Sequence, residues 1–239
     1  MTTHSGLIQS IAEKVIQPCR RAPDTSELEV SLGARDSTGR YTAGVSKDYA
    51  ERVLEALRAG GEWDQVHDWK LMTDIWFGTE GIRDTRRPGQ PGAVRCSKTR
   101  IGWVDTSLQG PMSVYVGTCT PIAARITAKK EIILPTPEPD TSLPEAIVEE
   151  ITMVRKKLRK SYVRGSFQYD VTMVWSGSTI EMVEAMDTSM ATYEVEIECI
   201  CLSDYLDTHS NQYVAESLLL KVQDLVPGAS ARPMYTHKI

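Results

Sequence analysis

No two of the five cysteines (Cys19, Cys96, Cys119, Cys199 and Cys201) are spaced as CxxC, and their number is odd. That usage suits a reducing compartment, and the expectation is no disulfide framework and no structural zinc. The four histidines, His4, His67, His209 and His237, lack ligand spacing and read as ordinary surface or loop residues. A GxxxxGK(S/T) loop is absent, which leaves a P-loop route to phosphate chemistry without support. No apolar stretch approaches the roughly 20 residues that cross a bilayer, and the opening MTTHSGLIQSIAEKVIQPCRR has no basic region ahead of an apolar run. The expectation is a soluble, intracellular protein. An excess of positive charge is missing too. The net charge of -5 argues against a protein that coats nucleic acid, so any polyanion site must be local. Aromatic residues make up only 7%, and the five tryptophans (Trp63, Trp69, Trp76, Trp103, Trp175) read as core rather than as platforms for bases.

What is present is a chain of 239 residues, 41% hydrophobic, long enough to bury a real core as one all-β unit. Leu7, Ile8, Ile11, Val15 and Ile16 share a helical face in residues 1–20, and Pro18 is expected to close that helix. Ser46 can cap a second helix over 46–59, with Tyr49, Val53, Leu54 and Leu57 as its stripe and Gly60-Gly61 as its end. A third spans about 210–226, with Val214, Leu218, Val222 and Leu225 inward. Between the second and third helices roughly 150 residues alternate Val/Ile/Thr/Trp/Tyr-rich runs with turn clusters. ELEVSL, SVYVGT, ARITAKKEIIL, RKKLRKSYV, QYDVTMVW and YEVEIECIC therefore read as mostly antiparallel strands. Leu134 to Pro144 reads as a long inter-strand loop.

Some of these strands carry charge where a sheet face needs explaining. Side chains alternate, so Glu27 and Glu29 share one face while Leu28, Val30 and Leu32 share the other. The same rule groups Glu194, Glu196 and Glu198 opposite Tyr193, Val195, Ile197 and Cys199. Arg155, Lys157 and Arg159 form a basic ladder on a third strand. Taken singly, an acidic strand is as well explained by an exposed sheet face, and the basic one by a charged edge strand or a nuclear-localisation-like cluster. Together they make sense in one polar cavity, because glutamate oxygens suit a hard cation such as Mg2+ or Mn2+ while Arg and Lys hold phosphate oxygens. That is the equipment of phosphoryl hydrolysis.

At this point the residues resemble the metal-dependent RNA 5'-triphosphatases of mRNA capping found in fungi, protozoa and large DNA viruses, within the triphosphate tunnel metalloenzymes. Glu27 in ELEVSLG is similar to the first metal-binding motif, and VSKDYAERVLEAL to the helix after it. GIRDTRR offers Arg83 as a phosphate-binding arginine, VRCSKTRIG offers Lys98 as a tunnel lysine, and ARITAKKEIIL offers Glu131 as the residue orienting the attacking water. RKKLR resembles the basic motif, so that Arg155, Lys157 and Arg159 would face the triphosphate; Asp170 in FQYDVTMVW resembles the aspartate supporting a basic side chain. EVEIE resembles the second acidic motif.

The resemblance runs in order over residues 27–198. It implies one triphosphate tunnel domain over 1–239, mainly β, with an eight-stranded antiparallel barrel over 26–203, a hydrophilic tunnel and helices outside. It further implies Mg2+ or Mn2+ on Glu27, Glu29, Glu198 and Glu196 with Glu194 in support; a 5'-triphosphate RNA end as substrate; a guanylyltransferase as partner; neither membrane nor DNA; and location in the nucleus or at a viral transcription site. The related branch of adenylate cyclases, thiamine triphosphatases and tripolyphosphatases usually opens with ExExK near the N-terminus, whereas Ser31 stands at the lysine position here, after a helix. That departure favours the capping branch. Two other readings remain: a tunnel enzyme acting on tripolyphosphate or small organic triphosphates, and a non-catalytic polyanion-binding module with structural acidic ladders.

Overall fold

In the computed structural model, residues 4–78, 81–107, 122–135 and 150–225 are described. The strand read at SVYVGT and most of the loop read at 134–144 lie outside them. The strands are β1 (Ser26–Arg35), β2 (Tyr41–Ala43), β3 (Gln65–Phe77), β4 (Ile82–Arg86), β5 (Val94–Ser107), β6 (Ile122–Leu134), β7 (Ile151–Arg164), β8 (Phe167–Gly177) and β9 (Thr192–Cys199). They pair in the order β1-β6-β5-β4-β3-β7-β8-β9, and β9 pairs with β1 again. Eight antiparallel strands thus close into a barrel, and β2 adds to β1 outside the closed ring order. Closure removes the free edges that an open sheet of this length would expose.

Alternation decides what each wall of the barrel is made of. On β1 the side chains of Leu28, Val30 and Leu32 are buried under helices. They meet Ile126 and Ala128 of β6, Val104 of β5, and Val195 and Ile197 of β9 in one outer core. Its cover consists of α1 (His4–Ile11), α2 (Gln17–Arg21), α3 (Lys47–Ala59), α5 (Leu202–Thr208) and α6 (Asn211–Asp224). Burying each such Val, Leu or Ile stabilises the fold by about 1.5–3 kcal/mol. A second cluster, Ile75, Val154, Trp175 and Val183, lies where α4 (Ile180–Glu184) covers β7 and β8. Among the described residues no helix is long and apolar enough to cross a membrane.

The second and third helices form as the sequence predicts. Ser46 accepts from the Tyr49 amide at 3.3 Å, and the Tyr49 hydroxyl donates to the carbonyl of Leu225 at 3.1 Å, tying α3 to the end of α6. Pro18, however, does not close the N-terminal helix, which runs on to Arg21. The chain makes a π turn over Ala12–Ile16, with the Gln17 amide reaching Ala12. A change of hydrogen-bond register next to Pro18 accommodates a residue that has no amide to donate. The turn also aims the Lys14 carbonyl at β5, where any side chain on Gly102 would collide with it: an added Cβ would lie 1.9 Å away.

β3 is a strand that sequence pattern does not reveal. Its ladder with β7 slips between His67 and Lys70, and such a bulge breaks the two-residue period that marks a strand. β7, which could have been a charged edge, is paired on both sides, to β3 and β8. The tryptophans divide. Trp63 packs against the outer core and Trp175 is buried, whereas Trp103 is exposed, Trp76 lines the barrel interior and Trp69 is half-buried outside both core clusters, so the all-core reading fails for those three. His67 also lines the interior, on a strand rather than in a loop.

Candidate active site

The inward faces of the eight strands enclose a cavity of about 1190 Å³ lined mostly by charged side chains. Acidic and basic side chains share its wall. On one side β1 and β9 run antiparallel with Glu29 opposite Glu198 and Ser31 opposite Glu196, so Glu27, Glu29, Glu196 and Glu198 form one carboxylate patch. The cations of the same cavity are Arg83 of β4, Lys98 of β5, Lys129 of β6, and Arg155, Lys157 and Arg159 of β7, with Lys129 directly opposite Glu27 in the β1–β6 ladder.

Most of these charges hold one another. Lys98 Nζ lies 2.6 Å from Glu27 Oε2 and 3.2 Å from Glu131 Oε2. Lys129 Nζ meets Glu29 at 2.5 Å. Arg159 Nη1 meets Asp170 at 2.8 Å, while its Nη2 donates to Glu196 at 3.2 Å and its Nε to Thr172 at 3.1 Å. Arg155 pairs with Glu194, which separates that glutamate from the patch. Glu131 sits between two cations, with Arg83 Nη2 at 3.6 Å on its other side. Among the described residues no three acidic, histidine or cysteine side chains converge as a ready-made metal cage. The reason is visible in the pairings: Glu27, Glu29 and Glu196 are each turned towards a cation.

Glu198 is the exception. It has no ion-pair partner among the described residues, and burial, together with the nearby Glu27 and Asp170, pushes its carboxyl up to about 8. Burial and the charge of Glu196 push Glu29 up to about 7. Glu27 and Glu196 are half-buried, and against that desolvation Lys98 and Arg159 respectively lead the cations that hold them below the ordinary glutamate value. The patch therefore does not hold all four carboxylates ionised near neutral pH. Elsewhere in the cavity Arg83 Nε is buried with no hydrogen-bond partner.

One end of the interior is filled. β2 folds so that the Tyr41 hydroxyl donates to the carbonyl of Ser31 at 2.9 Å and contacts its Oγ at 3.0 Å. Arg125 covers the Tyr41 ring at 4.4 Å and grips Asp105 through two hydrogen bonds of 2.6 and 2.8 Å. The Ser31 position, one inward step from Glu29, is thus occupied by a tyrosine.

No family model matches the sequence, and a comparison with curated proteins finds no match. Solved structures do match. The S. pombe Pct1 RNA triphosphatase superposes with a TM-score of 0.65 over 95% of this chain and 94% of that chain, at 14% identity. The Mimivirus capping enzyme triphosphatase gives 0.58 over 95% of this chain and 100% of that chain, at 17% identity. The chain has the fold of these RNA triphosphatases. The mainly-β barrel with helices outside, expected from motif resemblance, is therefore the architecture observed.

Of the residues picked out from sequence, eleven line this cavity: Glu27, Glu29, Arg83, Lys98, Glu131, Arg155, Lys157, Arg159, Glu194, Glu196 and Glu198. The twelfth, Asp170, lies behind Arg159. Sequence reading missed Asp74. It is buried on β3, 2.6 Å from Lys157 Nζ and 3.8 Å from Arg83 Nη1, and accepts from Thr85 Oγ1 at 2.7 Å. Although buried, Asp74 is held below the usual carboxylate range by Lys157 and Arg83. A lone aspartate inside LMTDIWF was the available signal. Lys129, which binds Glu29, was missed as well.

Proposed function

We propose that the chain is a metal-dependent polynucleotide 5'-triphosphatase that removes the γ-phosphate of nascent RNA in the first step of mRNA capping. The observation that carries this reading is the charged inner wall: a carboxylate patch on β1 and β9 with an unpaired member, sharing one barrel cavity with Lys and Arg from β4 to β7. A polyanion-binding module needs the cations but not the patch, which would repel its ligand. The Mimivirus relative is the triphosphatase domain of a trifunctional mRNA capping enzyme, which supports the capping context and a guanylyltransferase as partner. Action in the nucleus, or at a viral transcription site, follows from that context.

The donor set fits a hard divalent cation. Glu27, Glu29, Glu196 and Glu198 offer only carboxylate oxygens on adjacent strands, and a cation bound there would take the place of the protons that Glu198 and Glu29 hold in its absence. Bound there, Mg2+ or Mn2+ would neutralise phosphate charge and help orient water. Lys98, Lys129 and Arg159 now occupy three of the four carboxylates; an entering triphosphate competes for these cations and frees the glutamates. Arg83 has an unused Nε for a phosphate oxygen, and Asp74 holds Arg83 and Lys157 in place from behind. Asp170 does the same for Arg159. Glu131 is proposed to hold the attacking water in line with the phosphorus and accept its proton once Lys98 and Arg83 turn to phosphate.

Release of labelled phosphate from γ-labelled triphosphate RNA, compared with tripolyphosphate and ATP and repeated in EDTA, tests this reading. Metal-dependent release with the highest kcat/KM on RNA is expected. Release from tripolyphosphate alone would make the chain a tripolyphosphatase, and no release from any of them would leave a binding module.

A further inference from the structure

We propose that Trp103, with Arg100 beside it, forms a subsite that stacks the first nucleobase of the triphosphate RNA. The inference rests on the RNA triphosphatase reading above and adds to it the feature that would let a tunnel built for phosphates recognise a nucleic acid.

The placement of Trp103 is produced by a bulge. Arg100 of β5 faces the cavity opposite Lys129. Simple alternation from Arg100 would turn Gly102 inward and Trp103 outward, under the N-terminal helix. Instead the ladder with β6 slips between Arg100 and Gly102, so that Gly102 lies opposite Ala128 and Trp103 opposite Thr127. Ala128 belongs to the outer core, and Thr127 shares the inward face with Lys129 and Glu131. The extra residue thus sends Trp103 to the interior side while Gly102, which has no room for a side chain, lies against the Lys14 carbonyl. Bulges commonly re-aim side chains beside functional sites in this way.

An inward tryptophan in a barrel would normally be covered, yet Trp103 is 51% exposed. β4 begins at Ile82, opposite Ser97, so among the described residues no strand pairs with β5 beyond the Gly81–Lys98 contact on that edge. Arg100 lines the cavity, and Trp103 lies beside it on the same side of β5. Arg100 Cζ lies 5.4 Å from the Trp103 ring centroid. Unlike the deeper Lys98, Lys129 and Arg159, Arg100 has no carboxylate partner among the described residues. A large exposed aromatic face beside a guanidinium that makes no ion pair among the described residues is the chemistry that stacks a base and holds the adjacent phosphate.

The spacing suits one ligand running along β5. Lys98 touches Glu27 and Glu131 at the proposed reaction centre. Arg100 follows it by one inward step, about 7 Å along a strand, and Trp103 comes next on the same side. A triphosphate whose terminal phosphate sits by Lys98 would place its sugar-proximal phosphates near Arg100 and its base at Trp103.

The test compares kcat/KM for triphosphate RNA with kcat/KM for tripolyphosphate, which has no base, in the unmutated protein and in Trp103→Ala and Trp103→Phe. The ratio of the two should fall about tenfold in Trp103→Ala, as expected for loss of one base-stacking contact, and should recover largely in Trp103→Phe. Triphosphate RNA with an abasic first nucleotide should show the same tenfold deficit with the unmutated protein and no further loss with Trp103→Ala. An unchanged ratio in Trp103→Ala, or equal losses on both substrates, would overturn the subsite while leaving the triphosphatase reading intact. Failure of the unmutated protein to hydrolyse triphosphate RNA would overturn both.

Discussion

The two faces of β9 are built of opposite materials. Val195 and Ile197 face outward into a dry core that includes Val30 and Leu218, and Ile197 is fully buried. Glu194, Glu196 and Glu198 alternate with them and point into a cavity lined by cations. β1 repeats the contrast, with Leu28, Val30 and Leu32 outside and Glu27 and Glu29 inside. The outer wall supplies the stability that lets the inner wall keep buried charge, which costs free energy wherever it is imperfectly paired. Adjacent residues of one strand should therefore fail in opposite ways when changed.

The largest effect is expected on the inner wall. Glu27→Ala should lower kcat/KM on triphosphate RNA about 10³-fold, while thermal denaturation stays close to that of the unmutated protein. Unfolding in step with loss of activity would erase the distinction between the walls. Glu131→Gln should lower kcat by about 10²-fold or more, with KM and metal affinity nearly intact, since an amide keeps the size but is a poor base. Near-normal kcat would leave Glu131 with the role it already has, bridging Lys98 and Arg83.

On the outer wall of the same β9, Ile197→Ala should cost about 2–5 kcal/mol of stability by denaturant titration. The protein that remains folded should keep its kcat. A catalytic loss without loss of stability would mean that the two faces are coupled through the strand.

Much of this contrast was legible in the sequence because alternation is local. ELEVSL, VRKKLRKSY and YEVEIE each display their charged parity, and closure of the barrel only had to bring the three together. What was not legible depends on departures from period two or on contacts distant in sequence. Asp74 lies on a strand whose pattern is broken by the slip at His67/Lys70, so neither β3 nor its aspartate stood out. Trp103 reads as core because large aromatics usually are, and the bulge at Arg100/Gly102 that turns it to the inward side leaves no mark in the sequence pattern. Filling of the Ser31 position by Tyr41 depends on a short strand folding across β1, which no residue near Ser31 announces. Pro18 misled in the opposite direction, since the π turn before it let the helix continue.

The most direct measurement of the central claim, that the inner wall gives up stability for a cation site, is the melting temperature of the unmutated protein and of Glu198→Gln, each with and without Mn2+, from pH 5 to pH 8.5. The folded pKa of Glu198 is raised to about 8 and that of Glu29 to about 7, so the folded state binds more protons than the unfolded state above the ordinary value of 4.5. Stability of the metal-free protein should therefore fall as pH rises through that window, and Mn2+, which needs the ionised carboxylates, should restore more of it at each higher pH. At pH 8.5, Glu198→Gln should melt a few degrees above the metal-free parent, at about 2–4 °C per kcal/mol for a chain of this size, and should gain less from Mn2+. A lower melting temperature for Glu198→Gln, with the Mn2+ shift unchanged or absent in both proteins, would contradict the account.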